Sequence, residues 1–303
     1  MTQHFPRTLD RQPGVDFRLP TDQELDAMEA FQLSLGRSDE IDLSSMSFRS
    51  PIVERGKEIF NTSNTADGVA GKCALCHENA GANNATGTNF NFNTGVEDLP
   101  DQPADLITEQ VMDLNLAQNP PDNGFGLPGN PAEGTFNTPT LIEAADTGPF
   151  FHNHSIETIE EAVNFYNSDA FNNSPSGMFL QGTDGNGVGI ELQATHVVAV
   201  AGLLRVLNAL ENIRSAETSA ESALQLRRRK RSVALIKLAI VELEDAIQVL
   251  DGGNLHPEAQ RLLRRSAMFL RLAVKKHFGP MQKKLLNQAL DKMNLAREAL
   301  IVS

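Results

Sequence analysis

The chain has 303 residues, enough for two modest domains each with a core, and its formal net charge of −13 argues against a nucleic-acid partner. The charge is unevenly spread: residues 215–303 carry 16 Lys and Arg against 9 Asp and Glu, whereas residues 1–214 carry 10 against 30. An acidic body with a basic tail implies that the tail docks on the body, meets an anionic partner or membrane surface, or simply exposes solvated helix faces of one sign. No membrane span is expected, because the most apolar run, His196 to Leu207, is short and interrupted by Arg205. Met1 to Pro20 lacks the apolar core of a secretory leader.

In chain order, residues 1–20 are polar and predict no core of their own. Thr21-x-x-Glu24 is a capping box, and the helix it opens carries Leu25, Met28, Phe31 and Leu35 on one face before Gly36. Ser50-Pro51 opens a second helix over residues 51–61, with Val53, Gly56, Ile59 and Phe60 as its apolar stripe.

Next comes Cys73-Ala74-Leu75-Cys76-His77, which contains both cysteines of the chain. C-x-x-C-H is the attachment run of c-type haem: each thiol can form a thioether with a porphyrin vinyl group, and the turn aims the imidazole at the iron. With two cysteines and seven histidines in this length, chance gives the run on the order of once in ten thousand sequences. A structural zinc site would want a second ligand pair at the usual spacing, and none is present. A thioredoxin-like site would want a buried strand leading into the cysteines, whereas Asn61 to Lys72 is polar and rich in Gly and Asn.

From Glu78 to Thr138 the sequence is mostly Asn, Gly, Pro and Asp and predicts loop wrapped around a cofactor, with one short helix at Ala104–Leu114. A second capping box, Thr158-x-x-Glu161, starts a helix running to Tyr166; loop follows over Asn167 to Gly189, then a helix at about 190–212. In the tail, Ile236, Ile240, Leu243, Ile247 and Leu250 alternate spacings of four and three, as do Leu263, Ala267, Leu270 and Val274. After Gly279-Pro280 a last helix carries Leu286, Leu290, Met293 and Leu300. The fold class this predicts is all-α: a cytochrome c-like domain with long loops over residues 50–212, preceded by a one-helix remnant or linker over 1–49 and followed by an antiparallel helical bundle over 213–303.

These landmarks, taken together over about residues 50–212, make the chain resemble the C-terminal haem domain of the bacterial di-haem cytochrome c peroxidases and their MauG-like relatives. The matching pieces are Arg55-Gly56 with Phe60, Gly71 to His77, Asn137 to Leu141, Thr147 to His152, and Thr158 to Tyr166. Asn153 and His154 depart from the family, which has Gly at the second of these positions after an Asp. The family has a second C-x-x-C-H domain upstream, where peroxide reacts; here residues 1–49 alone precede, and the expectation is that the peroxidatic haem is missing.

The resemblance implies His77 as the proximal haem ligand and a sixth ligand on the helix after the Phe-His segment, Met in ordinary peroxidases and Tyr in the MauG-like branch. Tyr166, the one tyrosine, occupies that position; an anionic phenolate would favour ferric iron and a low potential. Packing in the haem pocket is the alternative role for Tyr166, and Met178 is the alternative sixth ligand. His152 matches a histidine beside the haem, implying a hydrogen bond to a propionate or loop. Thr147 and Pro149 match backbone-oxygen ligands of a calcium ion. His4, His196, His256 and His277 belong to no partner cluster.

The expected function is a mono-haem c-type cytochrome module that transfers or stores electrons, steering a basic redox protein to its acidic face and working with an upstream haem domain or subunit. Covalent haem is normally attached outside the cytoplasm, so a periplasmic or otherwise exported location is expected. Two alternatives stand beside it: a haem peroxidase reacting directly with peroxide, with His152 or Glu157 as acid-base group, and an interaction protein whose haem is structural.

Overall fold

Apolar residues at spacings of three and four fill most of the chain after residue 194, and the protein as a whole is mostly α-helical. The computed structural model describes residues 15, 18, 20–35, 41–62, 71–96, 99, 125–126, 135–183, 187–226, 228–276 and 279–302. They belong to two units, Met1–Glu40 and Ile41–Ser303. In the first, helix α1 (Asp22–Leu35) begins at the predicted capping box: the Glu24 N–H donates to the Thr21 hydroxyl at 3.3 Å and the Thr21 N–H to the Glu24 carboxylate at 2.9 Å. Leu25 and Met28 are exposed, and the side chains of Phe31 and Leu35 lie outside the described residues.

The second unit opens with strand β1 (Ser47–Phe48) and helix α2 (Pro51–Asn61), whose predicted stripe of Val53, Gly56, Ile59 and Phe60 is buried. Within the stretch expected to be loop, strands β2 (Asn91–Phe92), β3 (Phe125–Gly126) and β4 (Phe136–Asn137) form an antiparallel sheet in the order β3-β2-β4. Strands of two residues are too short to show the alternation by which a strand is read. The helix expected at Ala104–Leu114 lies outside the described residues.

Helix α3 (Ile159–Phe165) starts at the second capping box, with the Glu161 N–H donating to the Thr158 hydroxyl at 3.2 Å, and Tyr166 caps its C-terminus. The loop predicted over Asn167 to Gly189 contains two short helices, α4 (Asp169–Asn172) and α5 (Pro175–Gly182). Their signals stood in the sequence: Ser168 and Ser174 are N-caps whose hydroxyls accept from the Phe171 and Gly177 N–H groups at 3.2 and 3.1 Å, and Pro175 suits a first helical turn.

Helix α6 (Ala194–Gln225) then runs 32 residues, about 48 Å, because no Gly or Pro follows Gly202 to stop it. The boundary expected at residues 212 and 213 falls inside this helix. By length and composition α6 is apolar enough to cross a membrane, contrary to the sequence expectation, but 67% of that apolar window is buried inside the protein. Its first half packs on α2; its second half joins α7 (Arg229–Gly252), α8 (Pro257–Lys275) and α9 (Pro280–Glu298) in an antiparallel four-helix bundle. The predicted stripe residues Ile236, Leu243, Leu250, Leu263, Ala267, Leu270, Leu286, Met293 and Leu300 are all buried.

Buried polar side chains fasten neighbouring helices in register. The Ser232 hydroxyl donates to the Ala223 carbonyl at 3.2 Å, Ser266 to Ala289 at 2.9 Å, and the Gln282 amide to Ala273 at 3.3 Å. The chain closes on itself when β5 (Ile301–Val302) pairs antiparallel with β1, Ser47 facing Val302 and Phe48 facing Ile301. The Arg49 N–H donates to the Leu300 carbonyl at 3.0 Å, and the Arg49 guanidinium to the Glu298 carbonyl.

Candidate functional site

Two glycines set the distance between backbones around the Cys73–His77 run. A Cβ on Gly56 would lie 2.1 Å from the Ala199 carbonyl oxygen, so only glycine lets α2 lie directly on α6. A Cβ on Gly71 would lie 1.9 Å from the Ile59 carbonyl oxygen, so the chain returns to α2 just before the cysteines. Lys72 follows at φ 52°, its N–H donating to the Thr62 carbonyl at 2.8 Å. Its side chain is 1% exposed, and its ammonium donates to the Leu180 carbonyl at the end of α5 and to the Val188 carbonyl, at 2.8 and 2.7 Å. A buried cation is tolerated where such acceptors meet it.

Cys73 to Leu75 form one 3-10 turn, and the His77 N–H donates to the Cys73 carbonyl at 2.9 Å. Both thiols are partly buried and unbridged, and burial pushes each up to about 12. Protonated thiols of this kind are the reverse of a thioredoxin-type nucleophile, which needs its pKa lowered. Among the described residues no three or more His, Cys, Asp and Glu side chains stand together as possible ligands of one ion.

The His77 imidazole lies with Nδ1 3.1 Å from the Gly81 carbonyl oxygen, and the Pro139 carbonyl also bonds to the ring. A carbonyl only accepts, so the ring proton sits on Nδ1 and the lone pair on Nε2. Burial outweighs both carbonyls and pushes the His77 pKa down to about 4, keeping the ring neutral. Pro139 comes from the Asn137 to Leu141 segment, which is held there by the Leu141 N–H donating to the Ala80 carbonyl at 2.8 Å and by the Asn89 amide donating to the Thr138 carbonyl at 3.0 Å.

Tyr166, ninety residues further on, lies within electrostatic reach of both sulfurs: burial first, then Cys76 and Cys73, push its phenol above the ordinary value. Its ring packs edge-on against Phe171 at 4.7 Å and Phe165 at 5.5 Å, with Phe151 at 6.4 Å. The fold therefore brings together Cys73, Cys76, His77 and Tyr166 of the residues singled out in the sequence. The other candidate site residues are exposed. Met178 is 57% exposed on α5. His152 is exposed and stacks on Phe136 at 3.6 Å. Thr147 and Pro149 are exposed, and the Thr147 hydroxyl donates to the Ala144 carbonyl at 3.0 Å.

Lys72 and Pro139 are the site residues that sequence reasoning did not single out. Nothing local marks a lysine for burial, and the Pro139 carbonyl is a backbone group. The backbone offers one further sign of a site: Lys72, Asn79 and Ala80 around the cysteine turn, and Phe151 and His154 further on, all have left-handed φ values between 52° and 65°. Non-glycine residues in that region cost roughly 1–3 kcal/mol each and persist where their surroundings hold them. No protein-family model, curated protein or solved structure matches this chain.

Proposed function

We propose that this protein is a mono-haem c-type cytochrome module of the MauG-like kind, which transfers or stores electrons in an exported, periplasmic setting. The observation that carries the reading is that the Tyr166 phenol, packed edge-on against Phe165 and Phe171, lies within electrostatic reach of both sulfurs of the C-x-x-C-H turn, whose thiols burial keeps protonated. The donor chemistry fits haem c: two protonated thiols to add across vinyl groups, a neutral imidazole with its lone pair on Nε2, and a phenol. Haem bound there would supply a one-electron iron couple.

His77 and Tyr166 are the residues that would hold the iron, the exposed Met178 being the weaker candidate for the second position, and the Gly81 carbonyl, hydrogen-bonded to the His77 ring, would raise its donor strength, as outer-shell hydrogen bonds do. Phe165, Phe171 and Phe151 keep water from the phenol, which favours a single fixed ligand over exchange with solvent. Lys72, tied to α5, and the two close-packed glycines hold the turn in place.

Protein matured with haem tests this. The pyridine haemochrome should report two thioether bonds, and the ferric spectrum should be six-coordinate, low-spin and altered in Tyr166→Phe. Haem extracted by acidified solvent would sink the cytochrome reading; an unchanged Tyr166→Phe spectrum would sink the ligand assignment alone.

A further inference from the structure

The basic tail does not spread its charge evenly. The hydrogen bonds of Ser232 to Ala223 and of Gln282 to Ala273 set the start of α7 beside the end of α6, and the start of α9 beside the end of α8. Because successive helices of the bundle run antiparallel, the α6–α7 and α8–α9 junctions lie at the same end of it, and ion pairs of Arg271 with Glu244 and Arg297 with Glu217 link the hairpins further along. Eight cations gather there: four in a row from Arg228 to Arg231, then Lys275-Lys276 and Lys283-Lys284. All eight are exposed. Among the described residues none of their side chains makes an ion pair or a hydrogen bond.

The placement opposes helix stability. Arg229 to Arg231 and Lys283-Lys284 occupy the opening turns of α7 and α9, which hold no acidic residue, although the N-terminal end of a helix favours anions. Cations there repel one another and both helix ends, and a dense external anion relieves both repulsions. Met281, 56% exposed, stands among them on α9. The four helix ends make the end of a bundle rather than a groove, which suits a broad anionic plane and an apolar side chain dipping below its charged layer.

The tip is also far from the acidic body. Along α6 from Asn208, which receives the Ala145 N–H, to Gln225 is roughly 26 Å, about three times the Debye length of about 8 Å at physiological ionic strength. A chain of net charge −13 is repelled on average by an anionic surface, so a concentrated cationic tip selects the orientation of approach. We propose that this tip docks the protein on the anionic headgroup surface of a lipid bilayer, without spanning it, and holds the cysteine-bearing end away from that surface. The proposal stands whether or not haem is bound.

Co-sedimentation of the full chain with vesicles tests it. Binding is expected to phosphatidylcholine vesicles that contain phosphatidylglycerol and not to phosphatidylcholine alone, and to be lost at high salt. K283Q/K284Q, an exposed pair whose fold is checked by circular dichroism, should weaken partitioning by about thirtyfold. Equal binding to both vesicle types, or unaltered binding of K283Q/K284Q, would overturn the proposal. So would binding to polyglutamate or duplex DNA without binding to vesicles, which assigns the tip to an acidic protein or a nucleic acid.

Discussion

Residues 41–193 and residues 194–302 order the chain by different means. Among its described residues the first region has few and short regular elements, and many of its backbone groups are satisfied by side chains. The Asn84 carboxamide oxygen accepts from three donors of residues 86 and 88, Asn79 accepts from the Leu43 N–H, and Asn167 accepts from Leu192. The second region satisfies its backbone within four helices and gains its stability from a continuous apolar core. Polar bonds of the first kind fix conformation but contribute little net stability each, so the loop-rich region depends on the helical one. Helix α6 is where the dependence is carried: one end receives Gly56, the middle receives the Ala145 N–H on Asn208, and the other end belongs to the bundle.

The largest test of that dependence is removal of residues 215–303. If the bundle were a separate tail, residues 1–214 would keep a cooperative melt; the structure predicts that they lose it, because α6 is cut, its apolar face is bared and β1 loses β5. Circular dichroism melting and one-dimensional NMR decide the matter, and a sharply melting, well-dispersed fragment would break the comparison drawn here.

A smaller effect comes from pH in the haem-free chain. Burial lowers the His77 pKa from 6.5 to about 4, so below pH 6.5 the unfolded chain binds the proton that the folded chain refuses. Stability from this group is whole above pH 6.5 and falls as pH drops towards 4, by at most about 3 kcal/mol. The melting temperature should fall less steeply between pH 7 and 4.5 in His77→Gln than in the parent; parallel slopes would place the acid sensitivity elsewhere.

The smallest effect lies where the two regions touch through charge. Burial, and then Glu143, Asp245 and Asp146, raise the Glu242 carboxyl pKa on α7 despite a hydrogen bond from Ser215. A carboxyl raised in the fold destabilises above its unfolded pKa and ceases to do so once both states are protonated. Glu242→Gln should therefore raise the melting temperature at pH 7 by an amount worth under about 1 kcal/mol, and the gain should vanish near pH 4. An equal gain at both pH values would show packing, not charge, to be its cause.

Several features were legible in the sequence because their physics is local. The two capping boxes need only a hydroxyl and a carboxylate three residues apart, and both formed. The periodic stripes of α7, α8 and α9 name their own buried faces. Ser168 and Ser174 were equally local and were passed over because Asn, Gly and Ser around them read as loop.

What the sequence determined by itself was the C-x-x-C-H run, the helical class and the sign of each region's charge, since residue type and short spacing suffice for these. Tertiary structure decided the remainder. It joined Tyr166 to the cysteine turn across ninety residues, buried Lys72 between two distant carbonyls, and ran α6 through an expected boundary. It also gathered three separate basic segments at one tip. Each of these depends on which backbones approach one another, and that follows from the packing of whole helices, such as α2 on α6 at Gly56.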